Sequence, residues 1–142
     1  MPPEVKLETI DRGKAKKYPD AYVIEEALTE QWLITHTLTK KNIERSKALV
    51  EMTGIDLGEA QVLLLAKQKN ETEVLIDQSS VRKVARNLGL VPRGTIFVIL
   101  TAIRKHILTK ENAKEMLAKL IDENFHLSAK TYGGALRAIE KL

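Results

Sequence analysis

The stretch that most constrains the fold runs from residue 54 to 77, GIDLGEAQVLLLAKQKNETEVLID. Asp56-Leu57-Gly58-Glu59 has the spacing of a capping box, in which an N-cap side chain and an acid three residues on satisfy free amide groups. An apolar helical body follows from Ala60 to Ala66, and a polar turn at Lys69-Asn70-Glu71 ends it. Val74-Leu75-Ile76 then forms a short strand with Asp77 at its carboxyl end. In open α/β sheets ligands bind beyond the carboxyl ends of the strands, so an acid at that edge is a candidate site residue. Glu59, at a helix N-terminus, could face it. Each acid also has a plain use. Asp56 and Glu59 suit a cap contributing about 0.5–2 kcal/mol, and Asp77 suits a turn that closes a strand.

The flanking sequence repeats the alternation of helix and short apolar segment. Pro2 and Pro3 suit a first helical turn. Val5, Leu7 and Ile10 give that helix an apolar side, and Gly13 can end it. Glu8 lies one turn after Val5, near the buried side. A second helix starts at Pro19-Asp20 with Val23, Ile24, Ala27 and Leu28 as its stripe, and a strand is expected over 31–39, around Trp32, Leu33, Ile34 and Leu38. A third helix over 42–52 carries Ile43, Ala48, Leu49 and Met52 and stops at Thr53-Gly54. After Asp77, Ser79 or Ser80 caps a helix with Val81, Val84, Ala85 and Leu88 inward, ended by Gly89. Leu90-Val91-Pro92 suits an edge strand, and 96–103 suits a buried helix. Thr109 and Ser128 cap two amphipathic helices. The chain is therefore expected to be α/β, with a parallel sheet covered by helices on both faces.

Composition narrows the function classes. The 142 residues include 44% hydrophobic and 30% charged side chains, which suits a single soluble domain over 1–142. No apolar run approaches a membrane span, no signal peptide is visible, and the absence of cysteine excludes disulfides and thiolate metal sites; a cytoplasmic location is expected. Aromatic residues at 4% argue against base-stacking platforms. The net charge of +4 is unevenly placed: residues 78–110 contain no acid but include Arg82, Lys83, Arg86 and Arg93. These four are phosphate-contact candidates, with a solvated basic helix face as the alternative. His36, His106 and His126 show no metal-ligand spacing.

Taken in order, these elements resemble the PIN (PilT N-terminus) domain family, metal-dependent nucleases that include VapC-type toxins. The resemblance is carried by Pro3-Glu4-Val5-Lys6-Leu7-Glu8, Pro19-Asp20-Ala21, Trp32-Leu33-Ile34, Asp56-Leu57-Gly58-Glu59-Ala60 and Leu75-Ile76-Asp77. It continues through Arg82…Ala85…Leu88-Gly89-Leu90, Gly94-Thr95 and Phe125-His126-Leu127-Ser128. It covers nearly the whole chain and is closest to a small stand-alone prokaryotic branch.

The resemblance implies a three-layer α/β/α fold. It also implies that Glu8, Glu59 and Asp77 are the catalytic acids and hold Mg²⁺ or Mn²⁺, since hard cations take oxygen ligands. RNA is the implied substrate, an antitoxin protein an implied partner, and the activity that of an endoribonuclease, the toxin of a toxin–antitoxin pair. There are departures. The family opens with a strand ending in a metal-binding Asp, and here the sequence starts at the following helix. Gln78 stands where this branch commonly has a second Asp, and Phe97 where Gly is frequent. A degenerate PIN-fold module that binds RNA or protein without cutting is the alternative reading. An uncovered strand edge recruits a partner, so a homo-oligomer is expected.

Overall fold

The computed structural model describes residues 1–123 and 125–142. It holds eight helices and two short strands among the described residues, an α/β arrangement. Two compact units divide the chain, Met1–Pro92 and Arg93–Leu142.

In the first unit, helix α1 runs without a break over residues 3–15. It is α-helical over Pro3–Lys6 and Arg12–Ala15 and π-helical over Leu7–Asp11. Gly13 does not end this helix, contrary to the expectation from sequence. It is buried, and a Cβ there would stand 2.9 Å from Ala21 Cβ, so the glycine permits close approach of the next helix. That helix, α2 (Pro19–Thr29), buries Ala21 and Ala27 but leaves Val23 exposed. Lys14 Nζ reaches Glu25 Oε1 at 2.8 Å and ties the pair together.

The strand expected over 31–39 does not form. Gln31, at φ 63°, turns the chain at its start, and the backbone groups that a ladder would use are taken elsewhere. Leu33 N–H donates to Ala27 O at 3.1 Å and His36 N–H to Met1 O at 2.9 Å. The Met1 ammonium donates to Ile34 O at 2.6 Å. The Gln68 side chain accepts from Thr39 N–H at 2.9 Å and donates to Thr37 O at 3.0 Å. Met1 thus makes one parallel-type rung with the segment, and one rung is not a strand. Trp32 is left 70% exposed and Ile34 55%.

Helix α3 (Lys40–Thr53) is capped by the Thr39 side chain, which accepts from Asn42 N–H, and ends at Gly54 with φ 72°. Leu49 and Val50 face the core, whereas Ile43 and Met52, expected inward, are exposed. Helix α4 (Leu57–Gln68) is the centre of the unit. Ala60, Leu63 and Ala66 pack with Ile55, Val74, Val81, Ala85 and Leu90 in one buried cluster. Strand β1 (Glu73–Leu75) pairs with β2 (Val91–Arg93), a short parallel sheet joined through helix α5 (Ser79–Asn87). The α5 cap differs from expectation: Gln78 holds the N-cap position and makes no side-chain bond there. Val81 and Ala85 point inward as expected, and Gly89 closes the helix with φ 74°.

The second unit is helical beyond Arg93. Helices α6 (Thr95–Arg104), α7 (Lys110–Asp122) and α8 (Ala129–Lys141) enclose Ile99, Ile103, Ala113, Leu117, Ala135 and Ile139. The apolar run at 96–103 is thus helical, as its length predicts. The helix capped by Thr109 is expected to carry Ala113, Met116, Leu117, Leu120 and Ile121 on its apolar stripe; Met116 and Ile121 are nevertheless 44% exposed each. Among the described residues no helix is long and apolar enough to cross a membrane.

Candidate acidic site at the start of helix α4

Three local features bring acids together in the first unit. The π-helical segment of α1 carries Glu8 in its first turn. A π turn inserts one residue into the helical repeat and so re-aims the side chains on it. Across from it, Asp56 is the N-cap of α4 and Glu59 its third residue. Between them lies Gly58. A Cβ on Gly58 would stand 2.7 Å from Glu8 Oε2 and 3.2 Å from Glu8 Cδ and Oε1, so the Glu8 carboxylate rests directly on the glycine.

The electrostatics follow from this crowding. Glu8 is exposed as a residue, contrary to the expected place near the buried side; partial desolvation of its carboxyl group still raises its pKa, and the charge of Glu4 raises it further, while Arg12 opposes the shift and Asp56 and Glu59 add to it. Burial also raises the Glu59 pKa, the Asp56 amide holds it down, and the Asp56 charge pushes it up. That amide donates to Glu59 Oε2 at 3.0 Å, so the capping role of Glu59 is real. It engages one carboxylate oxygen, Oε2. Capping and site are therefore compatible here.

Asp77 lies beyond β1, exposed, in the short connection to α5. Glu8 feels the charges of Glu4, Arg12, Asp56 and Glu59, and Glu59 that of Asp56. Among the described residues no group of three or more His, Asp or Glu side chains could hold a metal ion. Glu8 and Glu59 are thus brought together, and a closed cage of three is not formed. A hydrated ion of the magnesium type needs no such cage: it binds through one or two carboxylates, waters and substrate phosphates. The donor type and the crowding of Glu8 and Glu59, only partly offset by Arg12 and the Asp56 amide, fit such an ion as a two-carboxylate site.

Of the basic candidates, Arg82 Nη1 donates to Ile76 O at 2.7 Å and so braces the connection that carries Asp77. Lys83 and Arg86 are exposed on α5. Arg93 stacks over the Phe97 ring at 4.3 Å, within the second unit. Gly58, Glu4 and Arg12 went unassigned by sequence reasoning. Gly58 had one available signal: a glycine in the first turn of an otherwise strong helix is locally unfavourable.

No curated protein and no solved structure matches the chain. A family model described as PIN domain matches residues 1–141. Nuclease-type function is characteristic of that family, which generally uses divalent metals and binds RNA. With helices and a short parallel sheet arranged as described, the chain belongs to the PIN domain family.

Proposed function

We propose that this chain is an endoribonuclease that uses Mg²⁺ or Mn²⁺, with Glu8 and Glu59 as the acids that hold the ion and Asp77 as the third acid at the sheet edge. The observation that carries the reading is the Glu8 carboxylate seated on Gly58 next to Glu59. A bound divalent ion activates water and stabilises charge developing on a phosphodiester. The chain's own residues supply the rest. Glu8 and Glu59 present two crowded carboxylates that a cation relieves. Asp56 fixes the rotamer of Glu59 through its amide. Arg82 holds the Asp77 connection, and Lys83 and Arg86 offer exposed charge to the phosphate backbone, with Arg93 proposed in the same role.

The test is cleavage of a mixed RNA with and without Mn²⁺. Cutting should require the ion, and Glu8→Gln, Glu59→Gln and Asp77→Asn should each lower it by about 100-fold, the upper range for disturbing metal-supporting groups. Undiminished cleavage by Asp77→Asn would remove Asp77 from the assignment. A role as the toxin of a toxin–antitoxin pair belongs to the same proposal. Growth arrest on expression, relieved by Glu8→Gln, is its test. Self-association is supported by the outer edge of β1, which no described strand covers, and by exposed Trp32 and Ile34; a monomeric mass in solution would count against it.

One observation favours a second reading: among the described residues no three acids are arranged so that they could hold a metal ion. In that case the chain binds RNA or protein without cutting it. Folded protein with retained RNA binding, no cleavage and no stabilisation by Mn²⁺ would select this alternative.

A further inference from the structure

We infer that Gly58 is a positioning residue: its missing side chain is the seat that fixes where the Glu8 carboxylate stands. The inference rests on the reading of Glu8 as a site acid given above and deepens it.

The geometry is specific. All three atoms of the Glu8 carboxyl group lie within 3.2 Å of the point where a Gly58 Cβ would be. Gly58 is buried in the first turn of α4. Its φ is not in the left-handed region, so no backbone demand calls for glycine there. Glycine also weakens a helix relative to alanine. Gly134, in α8, shows the contrast, because nothing stands within 4 Å of its Cβ position. The three atoms that a methyl group on Gly58 would meet first all belong to the end of the Glu8 side chain.

That end can swing away, so a methyl group would displace the carboxylate without breaking the core. A shift of about 1 Å at a reacting centre lowers rates on the order of 100-fold. The π-helical segment delivers Glu8 from the other side. Two locally unfavourable choices, one in each helix, thus meet at a single carboxylate.

The experiment compares Gly58→Ala, Glu8→Asp and the double variant, with Gly134→Ala as the control glycine replacement. In metal-free protein at fixed pH, the Glu8 Cδ chemical shift should move in Gly58→Ala and stay in place in Gly134→Ala. An unmoved Glu8 signal in Gly58→Ala overturns the inference. In Mn²⁺-dependent RNA cleavage, each single variant at the site should lose about 10-fold or more in kcat/KM. The double variant should lose less than the product, because the shorter Asp at position 8 accommodates the added methyl; contacting residues couple in this way. Losses that simply multiply would overturn it.

If Gly58→Ala lowers the melting temperature, Glu8→Ala in the same background must restore it; failure to restore it means that the methyl meets something other than Glu8. The nuclease reading fails separately: should the parent protein not cut RNA, the carbon shift and the melting coupling still decide the role of Gly58.

Discussion

The two units solve their folding differently. In 93–142 the capping signals and the helices agree, although Met116 and Ile121 of the apolar stripe stay exposed. Thr109 and Ser128 cap their helices by accepting from Asn112 and Thr131 amides, each at 3.1 Å. Six apolar side chains close one core, and Lys114 and Glu140 form an ion pair between two of the helices. In 1–92 several local choices run against the easiest geometry. A π segment lies within α1, a glycine sits in the first turn of α4, and two acids stand where partial desolvation and neighbouring charge disfavour ionisation. These departures gather on one carboxylate, that of Glu8. Strain and crowding concentrate where chemistry requires them, and regions free of such demands follow local preference.

That contrast can be broken or sharpened by substitution. The largest effect is expected in the regular unit. Leu117 is fully buried, and Leu117→Ala should destabilise by about 2–5 kcal/mol through the cavity it leaves. A chemical-denaturation midpoint that barely moves would mean that the second core is not a cooperative scaffold. Next, Ser128→Ala should remove about 1 kcal/mol by loss of the cap, read in the same titration. On the irregular side, Lys83→Ala and Arg86→Ala should each weaken RNA binding and lower the salt slope by about 0.7, the single-strand value per phosphate contact. An unchanged slope would leave these residues as a plain solvated face.

The smallest effect carries the opposite sign. Glu8 has a raised pKa in the folded protein. The unfolded chain therefore gives up this proton at lower pH than the folded one, and above that range the ionised acid destabilises the fold. Glu8→Gln should raise the melting temperature slightly at pH 7. The gain should shrink on acidification through the raised folded value and vanish below the ordinary glutamate value of about 4.3. A fall at pH 7 would make Glu8 a structural acid and would erase the contrast between the units.

Much of this was legible in the sequence, for identifiable reasons. Helix signals act within a few residues, so Thr53-Gly54, Asp56-Glu59, Thr109 and Ser128 mark helix ends with little error, whereas Thr39, the cap of α3, falls in the segment expected to be a strand. Strand signals depend on a partner. The residues 31–39 have the right side chains, but their amides and carbonyls pair with Ala27, Met1 and the Gln68 side chain, and no periodicity reveals that. Apolar stripes misled where they ran past the core, as at Val23 and Met52. At the site, Glu8 and Glu59 came from a resemblance of ordered motifs. Their meeting through Gly58 could not be read locally, because the contact joins residues 50 apart in sequence.

The exposed indole of Trp32 has a practical consequence. It is the chain's single tryptophan, and it is 70% exposed in the fold. Its fluorescence should already be that of a solvated ring, with long-wavelength emission and ready quenching by iodide. Intrinsic emission is consequently a poor reporter of global unfolding in this protein, and circular dichroism serves better for every stability measurement above. The same optical silence becomes an advantage for assembly. A blue shift on raising the concentration, or on adding RNA or another chain, would report shielding of the 31–36 segment against a nearly featureless background.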